Sequence, residues 1–447
     1  MSGHRGGDCD VIGATPGGGD WPEMRTLSAR LAVEKAPTWP GARWIGVIDD
    51  EALDPEDERV GLSHSAGFAT ARLLIRHGWV PRGTVEVGIS DGTVSAAELR
   101  QAIDLLPEPA FEPRSIADHD LPAFTVAVPT RGRPELVGVL LKHLSELDYP
   151  NYEVLVVDNA PPDDRTEQVA TAFADHNVRY VQEPRPGLSR ARNRALVEAR
   201  HSLIAFVDDD TVVEPDWLRA LATGFDLRPD VHLVVGAVRS GEILTPEQHY
   251  FERRYPWEGS YAPRVFSLAE PPPDIEIFPF ELGYFGTGAN FAVNRHAIMA
   301  IGGFNEALGA GTRVGGGEDI ELFVRVLYAG GALATQPAAL VWHKHRDTFP
   351  ALAEQMRGYG RGMGAWIVTV LADSAMRGDA VRAIFRAARR YKRLGRAQVA
   401  DDQPAIGSTL SESVLRRQEI AGMLIGPLLY ARSRLAGSAS RPLLARK

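Results

Sequence analysis

From Phe124 onward the chain repeats one pattern, and that pattern limits the folds open to it. Short, β-branched apolar runs at residues 124–128, 154–157, 179–181, 203–207 and 232–238 carry little polar alternation. Strands buried on both faces have that composition. Between several of them lie segments of helical periodicity, at 135–147, 166–174, 188–199 and 216–225. Strand–helix alternation predicts an α/β fold, a mostly parallel sheet flanked by helices. Ligands of such sheets sit beyond the carboxyl ends of the strands. The residues just after each apolar run are therefore the ones to read for chemistry.

The chain has 447 residues, more than one core usually fills, so two or three units are expected. Residues 1–40, rich in Gly and Pro, read as a disordered leader. Residues 41–112 hold three short strand patterns and a helical one, a small N-terminal α+β accessory unit, with Pro107, Pro109 and Pro113 marking a linker. The α/β unit covers 121–346, and 347–447 form a helical, basic C-terminal tail. From Met376 to Lys447 there are 15 Lys/Arg against 5 Asp/Glu, although the whole chain has a formal charge of −9. A basic tail behind an acidic body suits an anionic membrane surface. A helix over 379–396 would gather Val381, Ile384, Phe385, Ala388 and Tyr391 on one face and Arg382, Arg386, Arg389 and Arg393 on the other. That pattern fits lipid contact, and equally a helix packed on the body with its arginines in water. Cys9 is the only cysteine, so no internal disulfide is available. The first 20 residues lack the apolar core of a secretory signal. The run 420–430 is too short to span a bilayer and contains Pro427. The expected location is cytoplasmic, or peripheral at the inner face of the cell membrane.

Three consecutive strand ends carry polar clusters: Pro129-Thr130-Arg131-Gly132-Arg133-Pro134, then Asp158-Asn159, then Asp208-Asp209-Asp210. Asp208 and Asp210 project alike in an extended segment and suit a hard cation, Mg²⁺ or Mn²⁺, held against a diphosphate. The same acids also suit capping the helix that follows Glu214. Gly187-Leu188-Ser189-Arg190-Ala191-Arg192-Asn193-Arg194 opens a helix whose free N–H groups and arginines fit phosphate. Glu318 and Asp319 start another helix, where a carboxylate serves either as a dipole-stabilised cap or as a general base. His343 ends a late strand and is a candidate third metal ligand. The segment 245–285 brings Tyr250, Tyr255, Trp257, Tyr261 and Tyr284, which suit stacking on a sugar or packing in the core.

The ordered set Val128-Pro129-Thr130-Arg131-Gly132-Arg133-Pro134, Val156-Val157-Asp158-Asn159, Gly187 to Asn193, Phe206-Val207-Asp208-Asp209-Asp210, Gly302-Gly303-Phe304-Asn305-Glu306 and Gly317-Glu318-Asp319-Ile320-Glu321-Leu322 resembles the family 2 glycosyltransferases of the GT-A fold. The resemblance covers about residues 124–345. It implies an inverting transfer of a sugar from a nucleotide-diphosphate donor to a hydroxyl of a glycan or lipid-linked acceptor. It implies Pro129, Thr130 and Arg131 around the nucleoside, with Asp158 at the base or ribose. Arg190 and Asn193 fall in its donor-binding stretch. It implies Asp208 and Asp210 at metal and diphosphate with Asp209 in reserve, Asp319 as base with Glu318 beside it, and His343 at the metal. A non-catalytic sugar-nucleotide scaffold on the same fold would be expected to lose these acids. A nucleotidyltransferase would carry a Gly-rich loop with a Lys after the first strand. No nucleic-acid partner is expected.

Overall fold

The computed structural model describes residues 25–31, 35–112, 116–255, 260–394 and 411–437. Its centre is a nine-stranded mixed sheet. Eight strands run in the order Thr211–Val213, Ala332–His343, Val231–Ser240, Asn290–Asn294, Leu203–Val207, Phe124–Thr130, Tyr152–Asn159, Val178–Glu183, and Arg264–Phe266 pairs with Ala332–His343. The four strands from Leu203–Val207 to Val178–Glu183 are parallel, as strand–helix alternation requires. Both of their faces are buried. Val126, Val128, Val154 and Val156 join Leu140, Leu144 and Trp217 on one side. Ala127, Leu155, Val157, Ile204 and Phe206 join Phe291, Leu322 and Phe323 on the other. The flanking helices Pro134–Ser145, Arg165–Ala172, Leu188–Glu198 and Trp217–Asp226 fall within one or two residues of the periodic segments.

The other half of the sheet is mixed. Asn290–Asn294 lies antiparallel between Leu203–Val207 and Val231–Ser240. This strand lines the glycine-rich segment 286–290 up beside the end of Leu203–Val207, where the Asp208 N–H donates to the Ala289 carbonyl at 3.3 Å. Asn290 is fully buried. Its amide donates to the carbonyls of Ala237 and Ala339 and accepts from the Trp217 indole. It thereby satisfies backbone oxygens where the register between Val231–Ser240 and Ala332–His343 slips.

The N-terminal strands Arg43–Asp49, Thr70–His77 and Val80–Gly88 form a second sheet, followed by the helix Ala96–Asp104 capped by Ser95. Thr26–Leu27 pairs with Gly61 and Leu62, so part of the segment read as leader is integral to this region; residues 1–24 lie outside the described residues. The apolar cluster of the region runs on into Val212, Ala237, Leu340 and Trp342 of the central sheet. Arg30 and Arg76 both pair with the buried Glu214, at 3.1 and 2.9 Å.

Behind the sheet lie the helices Phe349–Ala372, Arg377–Leu394 and Glu412–Gly437. Among the described residues no helix is long and apolar enough to cross a membrane. Of the aromatics in 245–285, Tyr250 is core, Tyr255 packs on Tyr359 and Tyr261 covers Arg239. Tyr284 is 40% exposed, and Trp257 lies outside the described residues. The packing reading holds for the first three.

Candidate active site

The three consecutive aspartates separate by what holds them. Asp209 turns inward: one carboxylate oxygen accepts from the Thr130 hydroxyl at 2.7 Å and the other from Arg133 at 2.9 Å. It ties the end of Leu203–Val207 to the end of Phe124–Thr130. Asp208 is the most open of the three, with a third of its side chain exposed. The apolar walls still push its pKa up to about 6, with Arg192 pulling the other way. Asp210 meets His343 Nε2 at 3.2 Å and Arg133 at 3.3 Å. Burial would raise its pKa, but His343 outweighs that and holds the carboxyl well below the usual range. The reciprocal effect raises His343: burial opposes its charge and Asp210 wins.

Arg192 connects this cluster to the helix Glu318–Tyr328. It is 1% exposed. One guanidinium nitrogen lies 3.6 Å from Asp208 and donates to the Gly288 carbonyl at 2.7 Å; the other donates to Glu318 at 3.0 Å. Phe291 and Phe304 line its faces. Glu318 is buried, and desolvation, reinforced by the neighbouring Asp319 charge, pushes its pKa up to about 7. Asp319 is half-buried; one oxygen accepts from the Gly288 N–H at 2.8 Å and the other from the Ile320 N–H at 2.8 Å. The two carboxylates at this helix start are thus divided in use. Glu318 is committed to Arg192, and Asp319 stands on the Gly288 backbone with access to solvent.

Gly288 is the support on which that position depends. A Cβ there would fall 2.7 Å from the Asp319 Cβ and 2.8 Å from its carboxylate, closer than packed atoms approach. Gly288→Ala is expected to leave the fold intact, displace Asp319, and lower turnover about tenfold or more at nearly constant donor affinity, since small misplacements of a reacting group are costly. Steady-state kinetics with a donor-binding isotherm read both quantities.

Among the described residues no group of three or more His, Cys, Asp or Glu side chains converges in a ready-made metal cage. The donor set is that of a shared site. Asp210 and His343 are adjacent, and Asp208 is opposite Arg192. Mg²⁺ and Mn²⁺ sites at phosphates commonly use one or two protein ligands and take the rest from substrate and water. The residues fit such a cation on those terms. Behind His343 a chain continues through His345 (3.3 Å) and Glu252 (3.4 Å) to Arg72 of the N-terminal sheet (3.5 Å). Sequence spacing gave no sign of that support.

Other expected positions divide. Arg131 is exposed; Pro129 and Thr130 are buried in the strand end. Asp158 is fully buried and accepts from the Tyr180 hydroxyl at 3.1 Å, so contact with a base or ribose is not available to it in this arrangement. Asn193 is likewise spent, exchanging two hydrogen bonds with the Phe304 backbone. Arg190 pairs with Glu306 at 3.6 Å. Arg192 and Arg133, rather than Arg190, are the arginines paired with the acid cluster. The signal was in the sequence: Ser189, Arg192, Asn193 and Leu196 stand at i, i+3, i+4 and i+7, one helix face, and all are buried.

The site is thus an α/β arrangement in which parallel strands end in an acid cluster beside a glycine-rich turn, with a second carboxylate pair joined to it through Arg192. Residues 125–301 match the model of glycosyl transferase family 2. The chain is 28% identical over 224 residues to the pre-mycofactocin glycosyltransferase of Mycobacterium tuberculosis, covering 50% of this chain and 43% of that one. It is 30% identical over 223 residues to the succinoglycan biosynthesis protein ExoM of Rhizobium meliloti, covering 48% and 65%. The chain thus spans between about two fifths and two thirds of the length of these relatives. Among solved structures, a mannosyltransferase from Pyrobaculum calidifontis in complex with GDP-Man and Mn²⁺ superposes with a TM-score of 0.44 at 19% identity, over 70% of this chain and 87% of that one.

Proposed function

We propose that the chain is an inverting glycosyltransferase that moves a sugar from a nucleotide-diphosphate donor to a hydroxyl of a glycan or lipid-linked acceptor met at a membrane surface. The observation that carries this is the position of Arg192, whose guanidinium is shared by Asp208 of the acid cluster and Glu318 of the opposing helix start. Leaving-group side and base side are therefore joined through one buried side chain. Asp319, on the Gly288 backbone, accepts the proton of the acceptor hydroxyl. The oxygen attacks the anomeric carbon, the bond from that carbon to the diphosphate breaks, and the nucleoside diphosphate departs from the opposite face. Arg133, at Asp209 and Asp210, and the exposed Arg131 face the departing charge. Asp210 and His343, with Asp208 nearby, would hold Mg²⁺ or Mn²⁺, which when bound neutralises charge on the diphosphate. The relationship to a succinoglycan biosynthesis protein supports a polysaccharide-type acceptor.

A thermal-shift panel of UDP-, GDP- and dTDP-sugars with and without Mn²⁺ tests the reading. A ligand at a hundred times its Kd stabilises by about 2.7 kcal/mol, so the matching donor raises Tm by several degrees. The expected result is one donor base, stronger with Mn²⁺, and loss of the Mn²⁺-dependent part in Asp210→Ala. No shift with any nucleotide sugar in either condition would refute it.

A further inference from the structure

The helix Glu412–Gly437 is amphipathic in the reverse sense. Its inner face meets Phe349–Ala372 through glycine. A Cβ at Gly360 or Gly364 would lie 1.9 or 2.2 Å from the carbonyls of Glu419 and Met423. One at Gly422 or Gly426 would lie 2.3 or 2.4 Å from those of Arg357 and Arg361. The two backbones touch, and the contact leaves little room for large side chains. Leu415 is buried and Leu429 and Tyr430 pack on the body, but the remaining large apolar residues are on the outer face. Ile420, Leu424 and Leu428, spaced i, i+4, i+8, are 58, 78 and 51% exposed, with Ile425 at 44% beside them. Such a stripe facing water has no stability reason to exist, and contiguous exposed apolar surface marks a contact site.

The charges around the stripe choose the partner. Arg417, Arg432 and Arg434 are exposed on the same helix. Its two acids do not join them: Glu412 lies at the first turn, and Glu419 is turned into the body, held by Tyr255 at 3.1 Å and Arg254 at 3.4 Å. A second copy of this chain would set arginines against arginines and repel. An anionic bilayer takes both components at once, the apolar stripe among the acyl chains and the guanidinium groups among the phosphates. The preceding helix Arg377–Leu394 adds a patch of the same kind, with Val381, Ile384 and Phe385 exposed beside Arg382 and Arg386. Local arginines are needed because the chain as a whole is acidic, at −9. We propose that the outer face of Glu412–Gly437 is the docking surface of this protein on an anionic lipid bilayer. The proposal deepens the reading of a membrane-side acceptor, and its test requires no sugar transfer.

The full chain is sedimented with vesicles of phosphatidylcholine alone and of phosphatidylcholine mixed with phosphatidylglycerol. Wild type is expected to partition onto the mixed vesicles. Leu424→Gln with Leu428→Gln, both outward, lowers partitioning at least about tenfold from the apolar area withdrawn. Arg417→Gln with Arg432→Gln lowers it about tenfold or more on the mixed vesicles only. Both variants keep the wild-type melting curve and donor-induced thermal shift, so failure here is distinct from failure of the transferase reading. Wild type that stays in solution with mixed vesicles overturns the proposal, as does binding indifferent to both pairs. A concentration-dependent dimer that the leucine pair dissolves, with no vesicle binding, assigns the face to a second copy and overturns it too.

Discussion

Asp319→Asn is expected to cut the rate of transfer by about 10²–10⁴-fold, the usual worth of a positioned general base, with donor affinity held within a factor of two or so. The substitution is nearly isosteric. An asparagine carbonyl still accepts from the Gly288 N–H, which now meets a carboxylate oxygen at 2.8 Å, so the helix start keeps its shape. Basicity is removed, together with the acceptor that the Ile320 N–H now meets at 2.8 Å, since the amide nitrogen takes that oxygen's place. Glu318 is not a substitute, because it is buried and bound to Arg192 at 3.0 Å. The two neighbours should therefore separate cleanly: the asparagine variant loses turnover, whereas Glu318→Gln releases Arg192 and disturbs stability as well. Turnover at saturating donor, read alongside the donor thermal shift, makes the distinction. An Asp319→Asn enzyme that turns over normally would remove the base from the mechanism.

How much of this was legible in the sequence depends on how local each cause is. The parallel half of the sheet was legible because strands buried on both faces must be apolar and β-branched, and Val154 to Val157 or Ile204 to Val207 have no other use for that composition. The strand Asn290–Asn294 was not, since Phe-Ala-Val behind Gly-Thr-Gly-Ala reads as a loop and its antiparallel pairing is set by partners far along the chain. The acid cluster could be located but not apportioned. Period two places Asp208 and Asp210 together, yet only Thr130 and Arg133, nearly eighty positions away, decide that Asp209 is the structural one. Asp158 looked like a ligand because it ends a strand; Tyr180 on the neighbouring strand keeps it inside. The last helix was hidden for a different reason. Glycine packing reverses the usual rule, so the side that looks like a core faces outward.

Arg192→Met is expected to cost about 3–5 kcal/mol of stability, the typical penalty for removing one partner of a buried ionic group, and to abolish transfer. Methionine fills much of the same volume and keeps contact with Phe291 and Phe304, so the loss is charge rather than packing. Without the guanidinium, Glu318 has no cation and the Gly288 carbonyl has lost its donor, in a site closed to water. The loss should depend on pH with a definite sign. Burial already pushes Glu318 up to about 7 from its ordinary 4.5, so the folded state binds this proton more tightly than the unfolded chain does. The associated stability is present below 4.5 and declines as pH rises through 7. Removing Arg192 takes away the largest opposing influence, so the variant should lose stability more steeply across that window than wild type. Arg192→Met combined with Glu318→Gln should recover much of the stability and flatten the pH dependence, while transfer stays lost because Asp208 remains without its cation. Thermal melts of wild type, single and double variants at several pH values between 4.5 and 8 measure this. A single variant as stable as wild type at pH 8 would mean that Arg192 does not join the acid cluster to the helix start that carries Asp319.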